Sequence, residues 1–219
     1  MRPALVILAA GASERLGEPK ALCRIGAATV LERLLAAGVE ECDGPPLLLV
    51  GAHADEIAAH APSVVELARH GEWRRGRTST LKLARRLRPG RDLLIAPVDV
   101  PLVGRAVFRA LVEAWRAAGS PAAGFLAPRL ADRALPSRSD GADVPPVGTK
   151  ARHGHPVVLG RALALELESV SDSTPLARLR DRAAPRFDVE VRDEHVLDDL
   201  DTPADLDRLR RAADKPAQV

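Results

Sequence analysis

Tyrosine is absent from this chain of 219 residues, and two tryptophans with three phenylalanines bring the aromatic content to only 2%. Few ring faces are therefore on offer for stacking against nucleic-acid bases. The 32 Lys and Arg nearly balance the 30 Asp and Glu, so overall charge gives no argument for a polyanionic polymer as partner. Cys23 and Cys42 are too few for a disulfide framework or a zinc cluster and read as small core or surface residues. No apolar run reaches the roughly 18 residues of a membrane span, and no signal-peptide pattern precedes the first strand-like segment. The expectation is a cytoplasmic protein with neither a nucleic-acid nor a membrane partner.

What is present is an alternation of short aliphatic runs with helical patterns, the sequence behaviour of βα units around a parallel sheet. Ala4 to Leu8 is unalternating and aliphatic, as a central strand buried on both faces would be. Leu47 to Val50, a segment opening at Val64-Val65, Leu93 to Ala96, Pro156 to Leu159 and Phe187 to Val189 read as further strands. Helical spacing marks Val30 to Leu35 with Gly38 at its end, Ala54 to Ala59, Thr78 to Leu87, Ala106 to Ala117 before Gly119, and segments around Ala162 and Leu176. Thr202-Pro203 sets an N-cap and first turn for a last helix, Ala204 to Ala213. The chain has no internal repeat and is long enough for one α/β core, giving one domain over 1–214 and a frayed tail at 215–219. Between Pro128 and His153 the rhythm breaks into Pro, Ser, Asp, Gly and Arg, which reads as a long loop, either a lid or an insertion without fixed structure.

The chemistry begins at the carboxyl end of the first strand, where open α/β sheets bind their ligands. There the chain runs Leu8-Ala9-Ala10-Gly11-Ala12-Ser13-Glu14-Arg15-Leu16-Gly17-Glu18-Pro19-Lys20. Gly11 and Gly17 let backbone N–H groups come close to an anion, and Arg15 and Lys20 add fixed positive charge. A polyphosphate fits this loop. Five residues between the glycines, and Ala21 after Lys20, disfavour a Walker loop, while Ser13 stands where the dinucleotide fingerprint needs glycine. The segment resembles instead the opening motif of nucleotidyltransferases, and within them the MobA/MocA-like molybdenum-cofactor cytidylyl- and guanylyltransferases, whose loop runs Leu-Ala-(Ala/Gly)-Gly-x-x-x-Arg-x-Gly-x-x-Lys. The resemblance implies a three-layer, Rossmann-like α/β fold with a mostly parallel central sheet. It also implies that Leu8, Ala9, Ala10, Gly11, Arg15 and Lys20 bind the nucleotide, with Arg15 and Lys20 taking part in catalysis.

Further elements follow in family order. Asp99, in Ala96-Pro97-Val98-Asp99-Val100-Pro101, stands at the end of another central strand and points at the crevice. Magnesium prefers a carboxylate or two plus substrate phosphates, which is what one strand-end aspartate can offer. The resemblance assigns Asp99 this metal and nucleotide role, although the family usually has glycine where Val98 stands. Asp199 and Asp201, in Asp199-Leu200-Asp201-Thr202-Pro203, resemble the family's closing element, and either is a candidate second ligand. In an extended segment both would point to one side, while Asp201 and Thr202 are equally good helix caps. Gly76-Arg77-Thr78-Ser79-Thr80-Leu81 matches a glycine-then-hydroxyl stretch, placing Thr78 and Ser79 near base and ribose, with Ala84 where relatives carry glycine. Gly154-His155-Pro156 matches an element on the acceptor side.

The implied reaction has the phosphate of an acceptor attack the α-phosphorus of an NTP and expel pyrophosphate, with Mg²⁺ as cofactor. Like charges about 4 Å apart repel by several kcal/mol at an effective dielectric near 20, so neutralisation is the main catalytic task. By resemblance the acceptor is molybdopterin; sugar phosphates and other phosphorylated metabolites are alternatives, because one scaffold serves many substrates. A nucleotide-binding partner that delivers cofactor to a molybdoenzyme is the non-enzymatic alternative. Ala10, where guanylyltransferases of the family usually have glycine, adds a methyl group that fills space a purine needs, so CTP is expected over GTP.

Overall fold

The computed structural model describes residues 1–131 and 153–214. The interior of the expected long loop, 132–152, and the tail 215–219 lie outside the described residues. In chain order the elements are β1 (Ala4–Ala9), β2 (Arg24–Ile25), β3 (Ala28–Thr29), α1 (Val30–Gly38), β4 (Leu47–Val50), α2 (Ala54–His60) and β5 (Glu66–Arg69). There follow α3 (Arg77–Leu87), β6 (Leu93–Pro97), α4 (Arg105–Ala117), β7 (Phe125–Leu130), β8 (Val157–Leu159), α5 (Arg161–Leu165), α6 (Leu176–Arg180), β9 (Arg186–Val191) and α7 (Pro203–Ala213). Seven strands form one sheet in the order β5-β4-β1-β6-β8-β7-β9. β1 lies between β4 and β6, parallel to both, with Val6 opposite Leu47 on one side and Ile95 on the other. Only β8 runs against its neighbours β6 and β7. β2 and β3 make a separate hairpin around Gly26.

Burial explains the unalternating runs. All of β1, β4 and β6 is buried, and successive side chains go to opposite faces of the sheet. Leu5, Ile7 and Ala9 join a core with Leu31 and Leu34 of α1, Phe108 and Leu111 of α4 and Leu206 and Leu209 of α7. Val6 and Leu8 face a second core with Leu81 and Ala84 of α3, Leu163 of α5 and Leu179 of α6. These are the three layers that the resemblance implies, and the methyl group of Ala84 is buried in the second core. Burial also pushes both cysteine thiols up to about 12, so neither is a thiolate at neutral pH.

Several boundaries shift from the sequence reading, most by a residue or two, and two of the shifts have a physical reason. The expected loop does not begin at Pro128, because β7 continues to Leu130, paired along its length with β9. Pro128 is tolerated because β8 pairs only Phe125 and Leu126. β5 starts at Glu66 rather than Val64, which is half exposed. Among the described residues no helix is long and apolar enough to cross a membrane.

Candidate active site

The carboxyl ends of β1 and β6 open into a cleft of about 580 Å³, within the range of small-molecule sites. Leu8, Ala9, Ala10 and Gly11 form part of its lining. The loop that follows is shaped by two residues in the left-handed region, Ser13 (φ 53°) and Gly17 (φ 84°), the second of which needs glycine. The Ser13 carbonyl accepts from the N–H groups of Leu16 and Gly17, which turns the chain back so that Lys20 begins a short 3₁₀ turn facing the cleft. A Cβ on Gly11 would meet only open space, so the backbone here is approachable from the cleft.

Lys20 is the hub of the site. Its Nζ donates to Asp99 Oδ1 at 2.8 Å and to Asp201 Oδ1 at 2.7 Å. Burial works against the ammonium, but the bonds to Asp201 and Asp99 outweigh it and hold its pKa above the ordinary lysine value. Each carboxylate also carries a second cation: Arg15 reaches Asp201 Oδ2 at 2.8 Å, and Arg77 reaches Asp99 Oδ2 at 2.9 Å. Asp201 is thereby held below the usual carboxylate range, first by Lys20 and then by Arg15. The pairing spans 181 residues because the N–H of Leu200 donates to the carbonyl of Asp99 at 2.9 Å, while Leu200 itself is buried and locks the 199–201 segment beside β6. Thr202 rather than Asp201 caps α7, exchanging bonds with Asp205 in a capping box, so Asp201 is left for the cleft.

Asp199 makes no bond to Lys20 but lies close enough to be affected by the pair. Its pKa is pushed up, first by partial burial and then by repulsion from Asp201 and Asp99. Among the described residues no three acidic, imidazole or thiol groups close into a preformed metal cage. The two carboxylates on one ammonium, with a third in electrostatic reach, suit a hard divalent cation that takes its remaining oxygens from phosphate and water. The donor set therefore fits magnesium or manganese.

Other expected residues sit differently. The Thr78 hydroxyl donates to the Thr174 carbonyl at 2.5 Å, and Ser79 donates to the Gly76 carbonyl and lies 2.8 Å from His70 Nε2. Both are buried and neither lines the cleft, whereas Gly76, Arg77 and Thr80 of the same segment do. Their hydroxyls hold the entry to α3. Gly154 is glycine for packing, since a Cβ would fall 2.1 Å from the Val196 carbonyl. His155 Nδ1 is a buried ring nitrogen with no hydrogen-bond partner among the described residues. Burial, then the charge of Arg77, pushes its pKa down to about 4 against the opposing pull of Asp99, so it is neutral at physiological pH and belongs to the same electrostatic neighbourhood. The side chains of Val98 and Val100 are buried against the core, and Val98 also forms part of the cleft wall beside Asp99.

Sequence reasoning missed Arg77, Trp73, Arg74 and His53, all of which line the cleft. His53 Nε2 contacts the Ala12 carbonyl at 2.8 Å and braces the loop. The only signal for Arg77 was its place directly after Gly76, at the first position of a helix aimed at the crevice.

The MobA-like NTP transferase domain family matches residues 5–187. No curated protein sequence matches the chain. Among solved structures, the chain is similar to Rv0371c from Mycobacterium tuberculosis H37Rv, with 24% identity, a TM-score of 0.74, and coverage of 96% of this chain and 98% of that one. Rv0371c has also been solved in complex with manganese. Molybdopterin-guanine dinucleotide biosynthesis protein A from Archaeoglobus fulgidus gives 15% identity and a TM-score of 0.64 over 95% of this chain and 97% of that one. For 2-C-methyl-D-erythritol 4-phosphate cytidylyltransferase from Thermus thermophilus the values are 19% and 0.62, over 96% and 98%. At these identities the structures speak for the fold.

Proposed function

From the premise that this chain belongs to the MobA-like NTP transferase family and is a nucleotidyltransferase, we propose that it transfers CMP from CTP to the phosphate of a small acceptor of the molybdopterin type. The carrying observation is the Lys20 ammonium shared between Asp99 and Asp201, flanked by Arg15 and Arg77. Cations suited to phosphates here rest on carboxylates suited to a metal, so a triphosphate and its metal would exchange partners with groups already in place. An oxygen of the acceptor phosphate attacks the α-phosphorus, a new P–O bond forms, and the bond to the β-phosphate breaks to release pyrophosphate. Lys20 and Arg15 hold the β- and γ-phosphates, and the Gly11 loop adds backbone donors. Asp99, with Asp201 or Asp199, would hold Mg²⁺, which supplies charge neutralisation at the α-phosphate. Positioning and charge are enough for such a transfer, so no covalent enzyme intermediate is required.

His155, neutral, in the field of Arg77 and Asp99 and with no partner for its Nδ1 among the described residues, supports an acceptor subsite at Gly154-His155-Pro156. The methyl group of Ala10 in the cleft wall supports CTP over GTP by about 1–3 kcal/mol. The test is pyrophosphate release from CTP, UTP, GTP and ATP at equal concentration, with molybdopterin and a panel of phosphorylated metabolites as acceptors. CTP with molybdopterin should give the fastest release. A purine preference would remove Ala10 as the determinant, and a sugar phosphate turned over faster would replace the acceptor. Nucleotide binding without pyrophosphate release from any pair would favour the delivery-partner alternative.

A further inference from the structure

All five aromatic side chains can be placed, and four belong to the body of the fold. Phe108 and Phe125 are buried in the two cores, and Trp115 is fully buried, donates to Asp92 and stacks on Phe187 with ring centroids 5.9 Å apart. The fifth, Trp73, is the one aromatic residue that lines the cleft. It opens the 3₁₀ turn Trp73–Arg75, whose last N–H groups fold back on Glu72 and Trp73 carbonyls ahead of Gly76. Its root is seated at the nucleotide loop: a Cβ on Gly51 would fall 2.7 Å from Trp73 Cβ and 2.4 Å from the Ala10 carbonyl, and Ala52 donates to that same carbonyl. Gly51 is thus what lets the indole stand next to Ala10. The guanidinium of Arg74, also in the cleft lining, lies over the Trp73 ring at 4.4 Å from its centroid. A flat cation at that height occupies the space a stacked base would take.

We propose that the indole of Trp73 is the stacking face for the base of the nucleoside triphosphate, covered by Arg74 until the base takes its place. This rests on the nucleotidyltransferase reading and adds a division of labour within the base pocket. Stacking uses the π-face that every base has, so Trp73 contributes affinity without choosing among bases. The choice is left to the neighbouring Ala10. A core Trp73 would pack its ring away from solvent and would have no reason to hold an exposed arginine over it in the ligand cleft.

The test uses the full chain, its intrinsic fluorescence and three probes: CTP, GTP and inorganic tripolyphosphate, each with Mg²⁺. Trp115, sealed in the core, supplies a constant background in Trp73→Phe. Both nucleotides should quench wild-type emission saturably and tripolyphosphate should not. By calorimetry Trp73→Ala should bind CTP and GTP roughly tenfold to a hundredfold more weakly, and by similar factors, while its affinity for tripolyphosphate stays within about twofold; Trp73→Phe should fall between. Undiminished nucleotide affinity in Trp73→Ala would overturn the proposal, and so would an equal loss for tripolyphosphate, the mark of a merely structural residue. A wild-type protein that binds tripolyphosphate but gains nothing from a base would also overturn it, leaving the phosphate site intact. Failure to bind either would instead remove the nucleotide reading on which it rests.

Discussion

Lys20 and Lys82 engage aspartates by the same chemistry in two regions of the molecule. Lys82 Nζ lies 2.6 Å from Asp172 and donates to the Val170 carbonyl at 2.8 Å, while Arg75 takes the other oxygen of Asp172 at 2.6 Å. Those contacts close on themselves, tying α3 and the turn before it to the 170–173 segment, and they hold Asp172 below the usual carboxylate range through Lys82 first. Lys20 instead joins two carboxylates from distant parts of the chain, each with a further arginine, at the mouth of a cleft lined by approachable backbone. An ion pair as such therefore does not identify a site. Position at the strand ends, and partners that a ligand could exchange, separate the proposed site from the structural cluster.

The comparison breaks most visibly in turnover. Asp99→Asn should lower the rate of pyrophosphate release by about a hundredfold or more, since loss of one metal-held charge at the reacting phosphate costs several kcal/mol. Lys20→Ala should weaken NTP binding as well. Circular dichroism should show both folded, and a near wild-type rate at saturating Mg²⁺ would remove either residue from the mechanism. Next in size is the contrast between Asp201→Asn and Asp199→Asn. The first should cost about tenfold or more and the second less, because only Asp201 shares the Lys20 ammonium; a larger loss for Asp199→Asn would make it the second ligand.

The structural cluster should answer in stability rather than in rate. Lys82→Met should leave turnover within about twofold yet destabilise the fold by roughly 1–2 kcal/mol, a few degrees of melting temperature at this chain length. A wild-type melting temperature with depressed turnover would put Lys82 with the site. A further effect on stability concerns pH. His155 has a folded-state pKa of about 4, below its unfolded value near 6.5. Between those values the unfolded chain binds a proton that the folded chain excludes, so its contribution to stability is present above pH 6.5 and falls by up to about 1.4 kcal/mol per pH unit as pH drops through that window. His195, raised by its bond to Asp198, acts in the opposite sense, so the measurement is the difference between wild type and His155→Phe. Melting curves from pH 7 to 4.5 should converge as pH falls; parallel curves would show an ordinary histidine titration.

Much of this was legible in the sequence because it rests on local patterning. β1, β4 and β6 announced themselves as aliphatic runs buried on both faces, and α7 through Thr202-Pro203. Arg15, Lys20 and Asp99 were legible in strand-end motifs and Asp201 in the element that opens the last helix, and the structure brings them together. What stayed hidden depends on tertiary placement. β7 carries Pro128 and Arg129, which mask a strand whose β8 partner stops short of them. Glu72-Trp73-Arg74-Arg75 belongs to none of the sequence motifs, and its indole reaches the cleft only through its packing against Gly51. Thr78 and Ser79 had the right chemistry for a ligand, but the Thr174 and Gly76 carbonyls use their hydroxyls.

The central claim is that the Lys20 cluster serves transfer of a nucleotidyl group rather than removal of a terminal phosphate. The direct measurement follows CTP labelled at the α- or the γ-phosphorus, incubated with Mg²⁺, wild-type protein and a phosphorylated acceptor that supports turnover. The α-label should appear in the acceptor product and the γ-label in pyrophosphate, in equal amounts. Release of the γ-label as inorganic phosphate, with the α-label retained in CDP, would contradict the account.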